Sequence, residues 1–144
     1  MGQLSAGTFD LLAAPGHLIR RAQQQHQARW GELVGSGLTS VQFAVLAALA
    51  AEPGTDQNTL SGALSIDTST LADVCLRLAS RGLIDRERSE ADARRYRLRL
   101  TPSGRSLLDR HIPAVEAVGE ALLAPLTERE RETLLGLLRR VIGA

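Results

Sequence analysis

The eleven residues Val41-Gln42-Phe43-Ala44-Val45-Leu46-Ala47-Ala48-Leu49-Ala50-Ala51 restrict more than any other segment what this chain can become. They are apolar on nearly every helical face, yet fall far short of the eighteen or more residues that span a bilayer, so other protein must hide them. Thr39-Ser40 in front supplies N-cap chemistry, and Glu52-Pro53-Gly54 behind stops the helix. Such a helix is the buried centre of a domain, and the other segments must be arranged to cover it.

Those segments read as follows. Pro15 opens a long, partly apolar helix to about Val34, which Gly35-Ser36-Gly37 breaks. Thr55 or Asp56 caps a short helix from Gln57 to about Leu64, and Asp67 caps another from Thr68 to Arg81 that Gly82 closes. On this second helix Leu71, Val74, Cys75 and Leu78 form one inward stripe, leaving Ser69, Ala72, Asp73, Leu76 and Arg77 outward. The pair reads as a helix-turn-helix. Leu83–Arg88 and Arg95–Thr101 then form a β-hairpin, whose second strand alternates Tyr96, Leu98 and Leu100 with Arg95, Arg97 and Arg99. Thr101-Pro102-Ser103-Gly104 starts a helix to about Leu123, with a bend expected near Pro113. The capping box Thr127-Glu128-Arg129-Glu130 starts the last helix, to Ile142, whose stripe Leu134, Leu137, Leu138 and Val141 must pack somewhere. The fold class is mainly α with a small β-hairpin wing, flanked by helices from both chain ends. A length of 144 residues fits one unit, 1–144.

Charge placement then points to a partner. The formal net charge is only +1, and all seventeen basic residues are arginine. From Arg77 to Arg110 there are ten arginines against five acids, a net +5 that leaves −4 for the remainder. One strongly basic face in a near-neutral chain is the footprint of a protein that meets a polyanion. An α-helix fits the major groove of duplex DNA, where its first turn, Thr68, Ser69 and Thr70, presents N–H and hydroxyl groups, with Asp73 and Arg77 further along. A hairpin tip of Arg94 and Arg95 fits a narrow, electronegative minor groove. The chain has only four aromatics, Phe9, Trp30, Phe43 and Tyr96, which argues against single-strand readers that stack bases on aromatic platforms.

Three stretches, Gly82-Leu83-Ile84-Asp85-Arg86, Asp92-Ala93-Arg94-Arg95 and Leu98-Arg99-Leu100-Thr101-Pro102-Ser103-Gly104, resemble the wing signature of the MarR family. The resemblance extends over about residues 14–142. It implies a winged helix-turn-helix homodimer that binds pseudo-palindromic operator DNA, usually as a repressor released by a small molecule. The implied division is dimerisation helices 14–35 and 102–143, and a DNA-binding lobe 39–101 with its wing at 83–101. The resemblance places the recognition helix on Thr68–Ser80 and the minor-groove arginine on Arg94. It gives Asp92 the task of orienting that arginine. Where the family often has Arg or Lys early in the recognition helix, this chain has Thr68, so the resemblance extends to DNA binding and not to the operator sequence.

The front of the chain resembles the branch of that family that regulates aromatic-acid catabolism, including protocatechuate-responsive repressors. The residues are Pro15-Gly16-His17-Leu18-Ile19-Arg20-Arg21 with His26 and Trp30, then Gln42-Phe43-Ala44-Val45-Leu46 and Ala51-Glu52-Pro53-Gly54-Thr55-Asp56-Gln57. In that branch the ligand lies where the first helices meet the DNA-binding lobe. The chemistry fits an aromatic acid: Arg20 pairs bidentately with a carboxylate, His17 and His26 exchange hydrogen bonds with phenolic groups, and Trp30 and Phe43 sandwich a flat ring. His111, on a later helix, is a further candidate. His17 lies one turn from Arg20, whereas His26 and Trp30 pair at i, i+4 on an adjacent face, so they line one pocket or cross a dimer interface.

Other classes find less support. The sequence holds no phosphate-cradling Gly loop, no H-E-x-x-H and no G-x-S-x-G elbow, which argues against an enzyme. His17, His26 and His111 form a metal site only if the fold gathers them, so no cofactor or metal is expected. Cys75, a lone cysteine on an inward stripe, is expected to be inert rather than a redox sensor. Met1-Gly2-Gln3-Leu4-Ser5 lacks a basic n-region followed by an apolar h-region, and one cysteine closes no intrachain disulfide, so a cytoplasmic protein is expected. A helical interaction module that never touches DNA is the remaining alternative.

Overall fold

Helix starts follow the capping residues. In a computed structural model of the protein, which describes residues 5–6 and 9–144, the helices are α1 (Pro15–Leu33), α2 (Ser40–Ala51), α3 (Gln57–Leu64), α4 (Thr68–Ser80), α5 (Pro102–Leu122) and α6 (Glu128–Ile142). Met1-Gly2-Gln3-Leu4 of the expected leaderless start lies outside the described residues. Thr39 and Thr127 each make a full capping box, with Gln42 and Glu130 respectively. Asp56 caps α3 and Asp67 caps α4. Gly54 and Gly82 follow α2 and α4 at φ +81° and +71°, the left-handed conformation that glycine adopts without strain. The chain divides into two compact units, Gly35–Pro113 and the terminal segments Met1–Val34 with Ala114–Ala144.

The unit 35–113 carries the core. Val45, Leu46 and Leu49 of α2 are essentially unexposed, as are Leu60 of α3, Leu71, Cys75 and Leu78 of α4, and Leu98 in the sheet. The apolar α2 is thus the centre of its unit. The strands are β3 (Thr55–Asp56), β4 (Ile84–Arg88) and β5 (Tyr96–Leu100), in the antiparallel order β3-β5-β4. The expected hairpin is therefore extended by a third strand: Thr55 pairs with Leu98 and Asp56 with Arg97. The residues read as a cap alternative serve two ends at once, Thr55 and Asp56 as strand and Asp56 as N-cap. At the root of the wing the Thr101 N–H donates to the Leu83 carbonyl and the Thr101 hydroxyl to the Gly82 carbonyl, while the Gly104 N–H donates to the Thr101 oxygen. A Cβ on Gly104 would collide with the backbone carbonyl of Leu83.

The terminal unit is built differently. Strands β1 (Ser5–Ala6) and β2 (Phe9–Asp10) pair antiparallel, and Asp10 caps a 3-10 turn over Leu11–Ala13 that leads into α1. Arg131 of α6 donates to Glu120 of α5 at 2.7 Å and to the Leu123 carbonyl at 3.1 Å. Trp30 and Val118 are buried in this unit, while Leu18, Ile19, Leu137, Leu138, Val141 and Ile142 stand exposed. Helix α5 runs unbroken through Pro113, the residue at which the two units part.

Candidate functional site

The outward face of α4 is polar and well organised. Asp67 accepts from the Thr70 N–H at 2.8 Å, the Thr70 hydroxyl at 2.7 Å and the Ser69 hydroxyl at 2.8 Å. These bonds hold its carboxyl down to about pKa 2, the Thr70 hydroxyl contributing most. The Ser69 and Thr70 hydroxyl protons are thus committed to Asp67, which leaves their oxygens as acceptors. Thr68, Asp73 and Arg77 are exposed on this helix, and so is Leu76, whereas Leu71, Cys75 and Leu78 point into the core as their spacing predicts. Burial raises the Cys75 thiol to about pKa 11, which leaves little thiolate to react at neutral pH.

The wing tip is a turn organised by one carboxylate. Asp92 accepts from the Arg94 N–H at 3.0 Å and from Arg94 Nε at 3.2 Å, and Arg95 Nε lies 3.8 Å away. The Arg95 N–H closes the turn on the Asp92 carbonyl at 3.0 Å. Hydrogen bonds from Arg94, its N–H first, lower the Asp92 carboxyl below its ordinary range. The Arg94 side chain remains 90% exposed, so the guanidinium is aimed without being hidden. Behind the tip, the Arg86 guanidinium sits 3.9 Å from the Tyr96 ring centre, and its Nε donates to Gln57 Oε1 at 3.2 Å. Arg86 thereby ties the wing to α3. Sequence reading missed this clamp, because only the hairpin register brings Arg86 and Tyr96 together.

The candidate effector residues fall in both units. His17, Arg20, His26 and Trp30 all lie on α1. Arg20 is exposed; His17 and His26 are half-buried, and His17 Nε2 and His26 Nδ1 are buried atoms without a hydrogen-bond partner among the described residues. The His26 and Trp30 rings are 5.9 Å apart at 50°, as their i, i+4 spacing predicts. Phe43 on α2 and His111 on α5 belong to the unit 35–113. His111 Nδ1 donates to the Leu107 carbonyl at 2.8 Å, leaving Nε2 as an acceptor. Among the described residues no three His, Cys, Asp or Glu side chains converge as a metal site requires, and no helix is long and apolar enough to cross a membrane.

Residues 36–95 match the family model described as MarR family. The chain is 34% identical over 137 residues to the HTH-type transcriptional repressor NicR of Pseudomonas putida, covering 94% of this chain and 87% of NicR. The chain belongs to the MarR family. Among solved structures, the transcriptional regulator PcaV of Streptomyces coelicolor, crystallised in complex with its natural ligand, is 42% identical with a TM-score of 0.90, over 96% of this chain and 99% of PcaV. Bordetella bronchiseptica BpsR, whose DNA binding is regulated by 6-hydroxynicotinic acid, is 33% identical, also with a TM-score of 0.90 and the same coverage. This chain is accordingly a transcriptional regulator of the MarR type with a winged helix-turn-helix, and the expected fold class stands with β3 added to its wing sheet.

Proposed function

We propose that this protein is a homodimeric cytoplasmic repressor that binds pseudo-palindromic operator DNA and is released by an aromatic carboxylic acid, in control of an aromatic-catabolic operon. The observation that carries the reading is the wing tip, where Asp92 aims an otherwise exposed Arg94. In this reading the lobe 39–101 reads DNA: Thr68, Ser69, Thr70, Asp73 and Arg77 face the major groove, and Arg94, oriented by Asp92, enters the minor groove beside Arg95. Segments 14–35 and 102–143 are the dimerisation helices, so that 1–144 works as one unit.

Arg20 is the carboxylate anchor, a role its exposed guanidinium suits. The unpaired ring nitrogens of His17 and His26 await polar groups of the effector, since a buried polar atom without a partner costs about 1–3 kcal/mol that a bound hydroxyl or carboxylate would recover. Trp30, Phe43 and His111 are further candidates for effector contact. The action of 6-hydroxynicotinic acid on BpsR supports a hydroxylated aromatic acid as the ligand class.

Release follows from a population shift. Two recognition helices bind successive major grooves only when they stand about 34–36 Å apart. An effector weakens binding by as much as it prefers a different spacing. The test is fluorescence anisotropy on a labelled duplex selected by affinity from a random library, titrated with 6-hydroxynicotinic, protocatechuic and hydroxybenzoic acids. At least one acid is expected to release the wild type, and Arg20→Ala to bind the duplex equally well but resist release. Release of Arg20→Ala at the wild-type acid concentration would remove Arg20 as the anchor.

A further inference from the structure

An open pocket lies wholly within the unit 35–113, with no residue of α4 or the wing tip in its lining. It has a volume of about 350 Å³ and sits where the C-terminal end of α2, the end of β5 and the first turn of α5 come together. Leu49, Pro53, Leu100 and Pro102 give it an apolar lining, and Arg99 and Arg105 bring two guanidiniums to it. No carboxylate lines it. Arg99 has no ion-pair partner among the described residues, and Arg105 has only the exposed Asp109 at 3.5 Å, a surface pair of little strength.

Arg99, opposite Asp85 in the sheet, packs its guanidinium against Gly54. Its Nη2 lies 2.9 Å, and its central carbon 3.2 Å, from where a Cβ on Gly54 would be. The guanidinium therefore lies over bare glycine backbone, a position that a larger residue would close. The N-terminal end of α5, with its positive dipole, faces the same space through Thr101 and Pro102. Two guanidiniums, with Asp85 opposite Arg99 in the sheet and Asp109 beside Arg105 as their nearest carboxylates outside the lining, and a helix start above an apolar lining select a ligand that is itself divided, with one anionic group and an apolar body.

We propose that this cavity binds a small organic anion, an apolar ring or short chain carrying one carboxylate, at a site separate from the effector residues on α1. A phosphate of duplex DNA is the lesser fit, because it would leave the apolar lining uncovered. The proposal does not depend on Arg20 or on operator release.

The test is NMR titration of the full-length, 15N-labelled Arg20→Ala variant with benzoate, following the amides of Gly54, Thr101 and Gly104. Saturable shifts at these amides are expected, weakened about tenfold or more by Arg99→Ala and also when benzyl alcohol replaces benzoate. Arg99 is exposed, so its truncation leaves the core intact, which the unshifted amides of Leu46 and Leu71 would verify. Absence of saturable shifts, equal affinity in Arg99→Ala, or equal affinity for benzyl alcohol would overturn the proposal. Inorganic phosphate binding as tightly as benzoate would overturn it too, since the apolar lining would then contribute nothing.

Discussion

In the unit 35–113, Leu46, Leu71, Leu78 and Leu98 are fully shielded from solvent, whereas in the terminal unit Leu137 is 50% exposed, Val141 71% and Ile142 74%. The unit 35–113 thus hides most of its apolar side chains, Leu76 and Ile112 excepted, whereas the terminal unit leaves a run of them exposed on α6. Clustered apolar exposure on helices marks a surface made for another protein surface. The contrast matches the division of labour proposed above, in which the unit 35–113 reads DNA and the terminal helices meet a second copy.

The sharpest way to break the comparison is to attack each region's apolar side chains separately. Leu46→Ala should cost about 4 kcal/mol, because it opens a cavity in a fully packed centre, and the loss in urea denaturation should be the same across a tenfold range of protein concentration. Val141→Asp should instead leave the reading unit folded by NMR and weaken self-association about 100-fold, or roughly 2.7 kcal/mol, in sedimentation velocity. A dimer undisturbed by Val141→Asp would place the interface elsewhere than on α6. Within the reading unit, Arg94→Ala should lose about 2 kcal/mol of operator affinity and reduce the salt slope by about one unit in anisotropy titrations. Unchanged affinity would separate the wing from DNA reading.

The smallest effect concerns the cap of α4. The Asp67 carboxyl lies at about pKa 2 in the fold against an ordinary 3.8, so its charged form favours folding. That contribution is complete above about pH 4 and disappears as pH falls through about 2. Asp67→Asn keeps a capping oxygen without the titration, so the stability gap between wild type and variant should narrow over that window in urea denaturation. A constant gap would mean that the Ser69 and Thr70 hydroxyls do not hold the carboxylate.

How much of this was legible before the structure depended on the range of each signal. Capping and helical stripes act within one or two turns, so Thr39, Asp67, Thr127 and the Leu71-Cys75-Leu78 stripe could be read directly. The tight turn that lets Asp92 reach Arg94 is also local. Strand β3 was not legible, because two residues hold no periodicity and Thr55 pairs with Leu98 only once the sheet has formed. The clamp of Arg86 on Tyr96 depends on register in the same way. On α1, spacing divides His17 with Arg20 from His26 with Trp30, yet says nothing of which ring nitrogens end up buried without a partner.

The run Leu98-Arg99-Leu100-Thr101-Pro102-Ser103-Gly104 has another meaning once the wing root is known. Leu98 is there to fill the core, Thr101 to bond three backbone groups at once, and Gly104 because the Leu83 carbonyl leaves room for nothing larger. This part of the wing signature is therefore a record of clearances at a single joint. A residue larger than glycine at 104 would have to move the Leu83 backbone, and with it the end of the helix that Gly82 closes.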